Sequence, residues 1–147
     1  EIVLEANLKA IEECKIGNTI NDPHAKALKT LIEGLRHFKI LNRSVDEIIE
    51  KKLYVPFYMH STSHWLGLDV HDSGKYKDRE ENFTKFEEGM ILTIEPGLYF
   101  GDMAQKISKK YKNIGIRIED DILITKSGPK NLSENIPKSI KDLEKSY

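Results

Sequence analysis

The run HSTSHWLGLDVHD, residues 60–72, holds His60, His64 and His71, three of the five histidines in a chain of 147 residues, together with its one tryptophan. Imidazole both binds metals and moves protons near neutral pH. His60 and His64 stand four apart, a spacing with which a helix can chelate. The helical zinc-protease pattern, however, places glutamate directly after its first histidine, and here Ser61 stands there. Ser61-Thr62-Ser63 is also a run of poor helix formers. In an extended segment His60 and His64 fall on one side. His71, an odd number of positions further on, reaches that side if the chain bends or bulges at Gly67. A lone histidine is more often a satisfied structural residue than a ligand; three so close together point toward a site.

Carboxylates follow in two segments that read as strands, ILTIEPGLYF (91–100) and IGIRIEDDILIT (114–125). Alternation puts Ile91, Thr93 and Glu95 on one face. Glu95 precedes Pro96, which cannot donate to a ladder, so the strand should end or bend at Pro96-Gly97 with the glutamate aimed into a cleft. In the second segment Ile114, Ile116, Ile118, Ile122 and Ile124 share one face. Gly115, Arg117, Glu119, Asp121 and Leu123 share the other, with Arg117 and Glu119 about 7 Å apart. An ordinary surface strand gives the same pattern, with Arg117 in a cross-strand ion pair and Glu119-Asp120-Asp121 as solvated acid. The strands alone leave the cleft and surface readings level. Joined with the histidines they suit metal-assisted hydrolysis. Few imidazoles among several carboxylates form a hard donor set that favours manganese, or else cobalt, iron or zinc, over a thiolate-type zinc site. Two ions would share carboxylates and activate water, while nearby histidines donate to a developing oxyanion.

The elements that position these groups read as helices first and strands afterwards, an α+β order. Residues 1–14 carry Leu4, Leu8 and Ile11 at helical spacing, with Ala6 and Ala10 as good helix formers, and Gly17 follows as a stop. Asp22 is the expected N-cap of a second helix, with Pro23 at its first position. Leu28, Leu31, Ile32, Leu35 and Phe38 form its apolar face. Ser44 and Glu47 make a capping box for a short third helix with Val45, Ile48 and Ile49 inward. Residues 54–65 read as extended, 72–90 as loop, 101–113 as a polar excursion, and a short helix capped near Ser139 closes the chain.

The bulk numbers fit one domain over residues 1–147. The chain is 39% hydrophobic and 32% charged, with a net charge of −1. No basic stripe suggests nucleic acid, and no apolar run approaches the roughly 18–20 residues that span a bilayer. Cys14 is the only cysteine, so a reducing, cytoplasmic setting is expected. The chain opens inside a helical pattern, EIVLEANLKAIEEC, and not with methionine, so a fragment is expected.

HSTSHWLGLDVHD, LTIEPGLYF and GIRIEDDILIT, in that order, resemble the C-terminal part of the catalytic domain of the Xaa-Pro aminopeptidases (aminopeptidase P). These belong to the pita-bread metallopeptidase family, with prolidase, creatinase and methionine aminopeptidase. The resemblance runs along nearly the whole chain. It implies the C-terminal half of the pita-bread fold, helices packed on a curved, mainly antiparallel sheet. It implies metal ligands His64, Glu95 and Glu119 for two divalent ions, Mn2+ foremost, with Glu95 also moving protons and Glu119 bridging both ions. It further implies that His71 donates to the scissile carbonyl, that His60 lines the pocket for a proline ring, and that Arg117 orients a carboxylate. The substrates implied are peptides with proline in second place.

Ser61 stands where the family often has glycine. The family's two aspartate ligands lie upstream of this chain's first helix and are absent from it. The expected partner is therefore the missing N-terminal half, within a homo-oligomer, and the fragment alone should be inactive. A non-catalytic pita-bread module that binds proteins and a prolidase-type dipeptidase are the alternatives. Neither nucleic acid nor a membrane is an expected partner.

Overall fold

The computed structural model describes residues 1–104 and 109–145. Three helices come first: α1 (Ile2–Ile11), α2 (Asn21–His37) and α3 (Val45–Glu50). Strands β1 (Ile91–Ile94), β2 (Gly97–Tyr99), β3 (Gly115–Arg117), β4 (Asp120–Thr125) and β5 (Gly128–Asn131) follow, and then α4 (Ile140–Lys145). The α+β order is as expected. All strand pairing is antiparallel: β1, β4 and β5 form one sheet in that order, and β2 and β3 form a second.

The helices differ from expectation in which residues they bury. α1 turns Val3, Ala6, Asn7 and Ala10 inward, while Leu8 is 51% exposed. Val3, Ala6 and Ala10 join the core on that face, and Asn7 Nδ2 donates to the Ile94 carbonyl at 3.0 Å, tying the helix to the end of β1. α2 buries Leu28, Leu31, Ile32 and Leu35 as expected, but Phe38 lies just past its end and is exposed. Asp22 is not the N-cap. It sits in the first turn, where its Oδ2 accepts from both the backbone N–H and the hydroxyl of Thr19, at 2.5 and 2.7 Å. Both bonds run from Thr19 to the Asp22 carboxylate, while the N-cap position itself is Ile20, with no side-chain cap. Ser44 caps α3 as expected, its Oγ accepting from the Glu47 N–H at 3.2 Å. This helix of six residues buries Ile48, and Ile49 faces outward.

Residues 51–57 form consecutive turns instead of an extended segment. Extended pairing begins only at Thr62. The Glu95, Thr93 and Leu66 N–H groups donate to the carbonyls of Thr62, His64 and Ile91 at 2.7, 3.0 and 3.1 Å. The histidine segment therefore runs antiparallel beside β1, with one β-bridge between Trp65 and Leu92.

The expected single strand over 114–125 is broken into β3 and β4. β1 and β2 are broken at the matching place, and the register continues across both breaks. Ile94 stands opposite Asp120, and Gly97 opposite Arg117. Glu95-Pro96 thus faces Ile118-Glu119. Pro96 offers no N–H to continue the ladder, although its carbonyl still accepts from the Ile118 N–H at 3.3 Å. Both strands are interrupted together, and the two glutamates fall at the interruption.

The isoleucine face is covered over half its length. Ile122 and Ile124 are fully buried with Leu92 and Ile94, whereas Ile114 and Ile116 are 43% and 50% exposed. Asp120 occupies the buried side and not solvent. It is 1% exposed, pairs with Lys138, and accepts a hydrogen bond from the Ser133 hydroxyl at 2.7 Å.

Candidate metal centre

His64, Glu95 and Glu119 come from three separate segments: the extended run beside β1, the residue after β1, and the residue before β4. One ligand atom from each lies within 4.8 Å of the other two. That span is little more than twice a metal–nitrogen or metal–oxygen bond of roughly 2.0–2.2 Å. His64 Nε2 stands 3.3 Å from Glu95 Oε1.

The hydrogen bonds around His64 fix what this pair can do. Its Nδ1 lies 3.0 Å from the Trp65 carbonyl, an acceptor, so Nδ1 carries the proton. A metal-binding histidine commonly donates its other ring N–H in this way. In the neutral ring, Nε2 is then a lone pair facing a carboxylate oxygen. Two acceptors at that distance are held together by a shared proton or a cation.

Thr93, 1% exposed, joins the two ligands. Its hydroxyl oxygen accepts from the His64 N–H at 3.1 Å, and the hydroxyl donates to Glu95 Oε1 at 3.2 Å. Glu119 sits on the rim, the most exposed of the three. Desolvation on its cleft side, and after it the Glu95 carboxylate, push its carboxyl above the usual range, against the pull of His64 and Arg117. The donor set therefore fits a hard divalent cation: one imidazole with its outer N–H secured, and two carboxylates whose repulsion a cation relieves.

The other residues singled out in the sequence gather at the same place. Arg117 Nη1 donates to Glu95 Oε2 at 3.1 Å, and its Nε donates to the Tyr99 hydroxyl at 2.7 Å. Tyr99 OH is 2.8 Å from His60 Nε2. Because His60 Nδ1 lies 2.8 Å from the Ser61 carbonyl and must donate to it, Nε2 accepts from the tyrosine. The chain Arg117 to Tyr99 to His60 thus has one consistent direction. Its hydrogen bond to Tyr99, the largest influence, strengthens the hold of Arg117 on its proton. His71 folds back until its ring meets that of His64 edge to face, with centroids 4.2 Å apart. Gly67 permits this return. A Cβ there would overlap the Asp72 carboxylate, which accepts from the Leu68 N–H at 3.0 Å. The Asp72 N–H closes the loop by donating to the Trp65 carbonyl at 3.1 Å.

Sequence reasoning assigned no role to Tyr99 or to the hydroxyl of Thr93. Tyr99 lies an even number of residues past Glu95, so alternation carried through the interruption would have found it. Thr93 was placed on Glu95's face, but nothing local shows that its hydroxyl reaches a backbone amide of another segment.

A donor set suited to a hard cation thus lies where two antiparallel strand pairs are interrupted together, in a domain of the α+β class. Residues 1–126 match metallopeptidase family M24, and the chain belongs to that family. It is 42% identical to a Xaa-Pro aminopeptidase of Haemophilus influenzae over 144 residues, 98% of this chain and 33% of that protein. It is 41% identical to the Xaa-Pro aminopeptidase of Escherichia coli, over 98% of this chain and 32% of the other. Among solved structures it resembles the aminopeptidase PepP of Pseudomonas aeruginosa with a TM-score of 0.93 at 38% identity, covering 98% of this chain and 32% of that one. Aminopeptidase P from E. coli with the inhibitor Pro-Leu aligns with a TM-score of 0.89 at 40% identity, covering 98% and 32%. These likenesses agree with the expected pita-bread fold. The chain spans about a third of the length of these relatives. Among the described residues no helix is long and apolar enough to cross a membrane.

Proposed function

We propose that residues 1–147, as one domain, supply His64, Glu95 and Glu119 to a dinuclear metal centre that removes the N-terminal residue from peptides with proline in second place. The observation that carries this reading is the convergence of those three ligand atoms within 4.8 Å of one another. Two divalent ions, Mn2+ in the first instance, would supply Lewis acidity toward the peptide carbonyl and a nucleophile at neutral pH. The remaining carboxylate ligands come from a preceding half of the same protein, since the relatives are about three times as long. That protein acts in the cytoplasm as a homo-oligomer.

Each side chain has a task that its position supports. Glu95 is 8% exposed and held from both sides by Thr93 and Arg117, so it takes the nucleophile's proton and returns it to the leaving amine. His71, standing free of the triad's direct bonds but against His64, donates to the carbonyl oxygen as charge develops there. His60, fixed by Tyr99, lines the pocket for the proline ring.

The full-length protein with Mn2+ should cleave a Xaa-Pro peptide, and Glu95→Gln should lower turnover by about 10²–10⁴-fold, the usual range for losing a general acid–base. The isolated 147-residue chain should show no turnover. Failure of the full-length protein with Mn2+, Co2+, Fe2+ and Zn2+ alike would overturn the reading.

A further inference from the structure

The ligand-bearing segment is anchored by a histidine that the metal site does not use. Between residues 58 and 66 the chain makes one β-bridge, and Ser61-Thr62-Ser63 has little intrinsic preference to hold it. Yet Thr62 is fully buried. Its hydroxyl oxygen is 2.9 Å from Nδ1 of His24 and 2.6 Å from the hydroxyl of Tyr58. Its carbonyl accepts the Glu95 N–H at 2.7 Å, the shortest of the bonds tying this segment to the β1 region. His24 comes from the first turn of α2, a different element, and its ring stacks on Tyr58 with centroids 6.0 Å apart. Burial, and then the neighbouring His60, hold its imidazole toward the neutral form, which can serve as donor or acceptor at Nδ1.

We propose that His24 is a positioning residue. Bonded through Nδ1 to the Thr62 hydroxyl, it fixes the peptide whose carbonyl holds Glu95 and whose neighbours are His60 and His64. α2 thereby sets the distance between the imidazole and carboxylate ligands. A hydrogen-bond partner of a ligand commonly governs metal affinity tenfold or more; Thr62 is such a partner through the Glu95 main chain, and His24 acts through Thr62. This inference rests on the metal reading above, and it also makes a claim about the metal-free protein.

The test uses the full chain with His24→Ala, His24→Asn, Thr62→Val and the pair His24→Ala with Thr62→Val. Asparagine can place a polar atom where Nδ1 stands, and valine removes the hydroxyl at nearly constant shape. In metal-free protein, hydrogen exchange at the Glu95 amide should accelerate about tenfold or more in His24→Ala and in Thr62→Val, while the Leu31 and Leu35 amides of α2 keep their rates. The double variant should go no further than Thr62→Val alone, which also removes the bond to Tyr58, because the effect of His24 passes through the Thr62 hydroxyl. His24→Asn should restore most of the protection. Mn2+ affinity, measured by calorimetry, should fall about tenfold in step.

Exchange at Glu95 that changes only as much as the α2 core changes, or effects of the two substitutions that multiply independently, would overturn the proposal. If wild-type protein bound no metal, the metal reading would fall and the Glu95 exchange would decide on His24 alone. Should His24→Ala not fold, Thr62→Val set beside Tyr58→Phe, which removes only the tyrosine bond, isolates the share that belongs to His24.

Discussion

His64 shows how much chemistry one ring orientation settles. With Nδ1 donating to the Trp65 carbonyl, Nε2 has no choice but to face Glu95, and Glu119 closes the third side. The balance of charge then predicts a pH dependence. Glu119's carboxyl is raised in the folded protein by desolvation and by Glu95, so the metal-free native state binds more protons than the unfolded chain between the two titrations. The contribution of Glu119 to stability is therefore most favourable below the ordinary carboxylate range and is lost as pH rises through its folded titration. Glu119→Gln should raise the thermal midpoint of chelator-treated protein toward neutral pH, with the gain vanishing as pH falls. The same variant should bind Mn2+ more weakly. Thermal scans between about pH 4 and pH 8, paired with calorimetry, check both. The histidine cluster and Glu95 stood out because histidine is scarce and a glutamate before proline is a local signal, whereas the choice of His64 within the cluster and of Glu119 came from the family resemblance. For Arg117 the cross-strand ion pair of the surface reading is present, to Glu95 at 3.1 Å, and Tyr99 and His60 join it. Asp120 read as solvated because its acidic neighbours are adjacent, while the lysine that accompanies it into the interior arrives from residue 138. Thr62 and His24 carry no spacing signature, since what joins them is contact between distant segments.

At the scale of elements, the loop after Trp65 is the part most sensitive to one atom. Gly67→Ala places a Cβ in the space of the Asp72 carboxylate. The carboxylate must leave the Leu68 N–H, which is worth about 1–2 kcal/mol for a charge-assisted bond near the surface. Urea denaturation should show that loss, and the His71 ring resonances should lose the displacement they owe to His64, since the loop no longer holds the rings together. Unchanged His71 shifts would show that Gly67 does not govern its placement. The need for a bend at Gly67 was legible from the odd separation of His64 and His71, as was the break at Pro96-Gly97. The matching break at Ile118-Glu119 was not, because isoleucine alternation runs through it. A ladder interrupted on one strand by a residue without an N–H is interrupted on its partner too, and that partner is known only once the register is known. The stripe on α1 holds in part: Ile11 packs on the core and Leu4 is half-buried, whereas Leu8 is exposed because Val3, Ala6, Asn7 and Ala10 are the residues turned inward.

At the scale of the molecule, the fold class was legible from the order of helices and strands, but the uncovered apolar surface was not legible residue by residue. A cavity of about 550 Å³ lies between the end of α2 and the outer side of β2 and β3, lined by Ile2, Leu35, Phe38, Leu98, Phe100 and Ile116 among others. Phe38 and Ile116 are each about half exposed there. Large exposed apolar patches drive association, so the isolated chain should sediment as dimers or larger species at micromolar concentration. Ile116→Lys should return it toward a monomer, and a wild-type monomer in sedimentation velocity would contradict the expectation. The paired interruption has a different consequence. The link from β2 to β3 is pinched at its base, where the Phe100 N–H donates to the Ile114 carbonyl and the Asn113 N–H to the Phe100 carbonyl, both at 2.8 Å. The carboxylates are aligned by strand pairing on the near side of that pinch, so their spacing is held by the sheet and not by the length of the link beyond it.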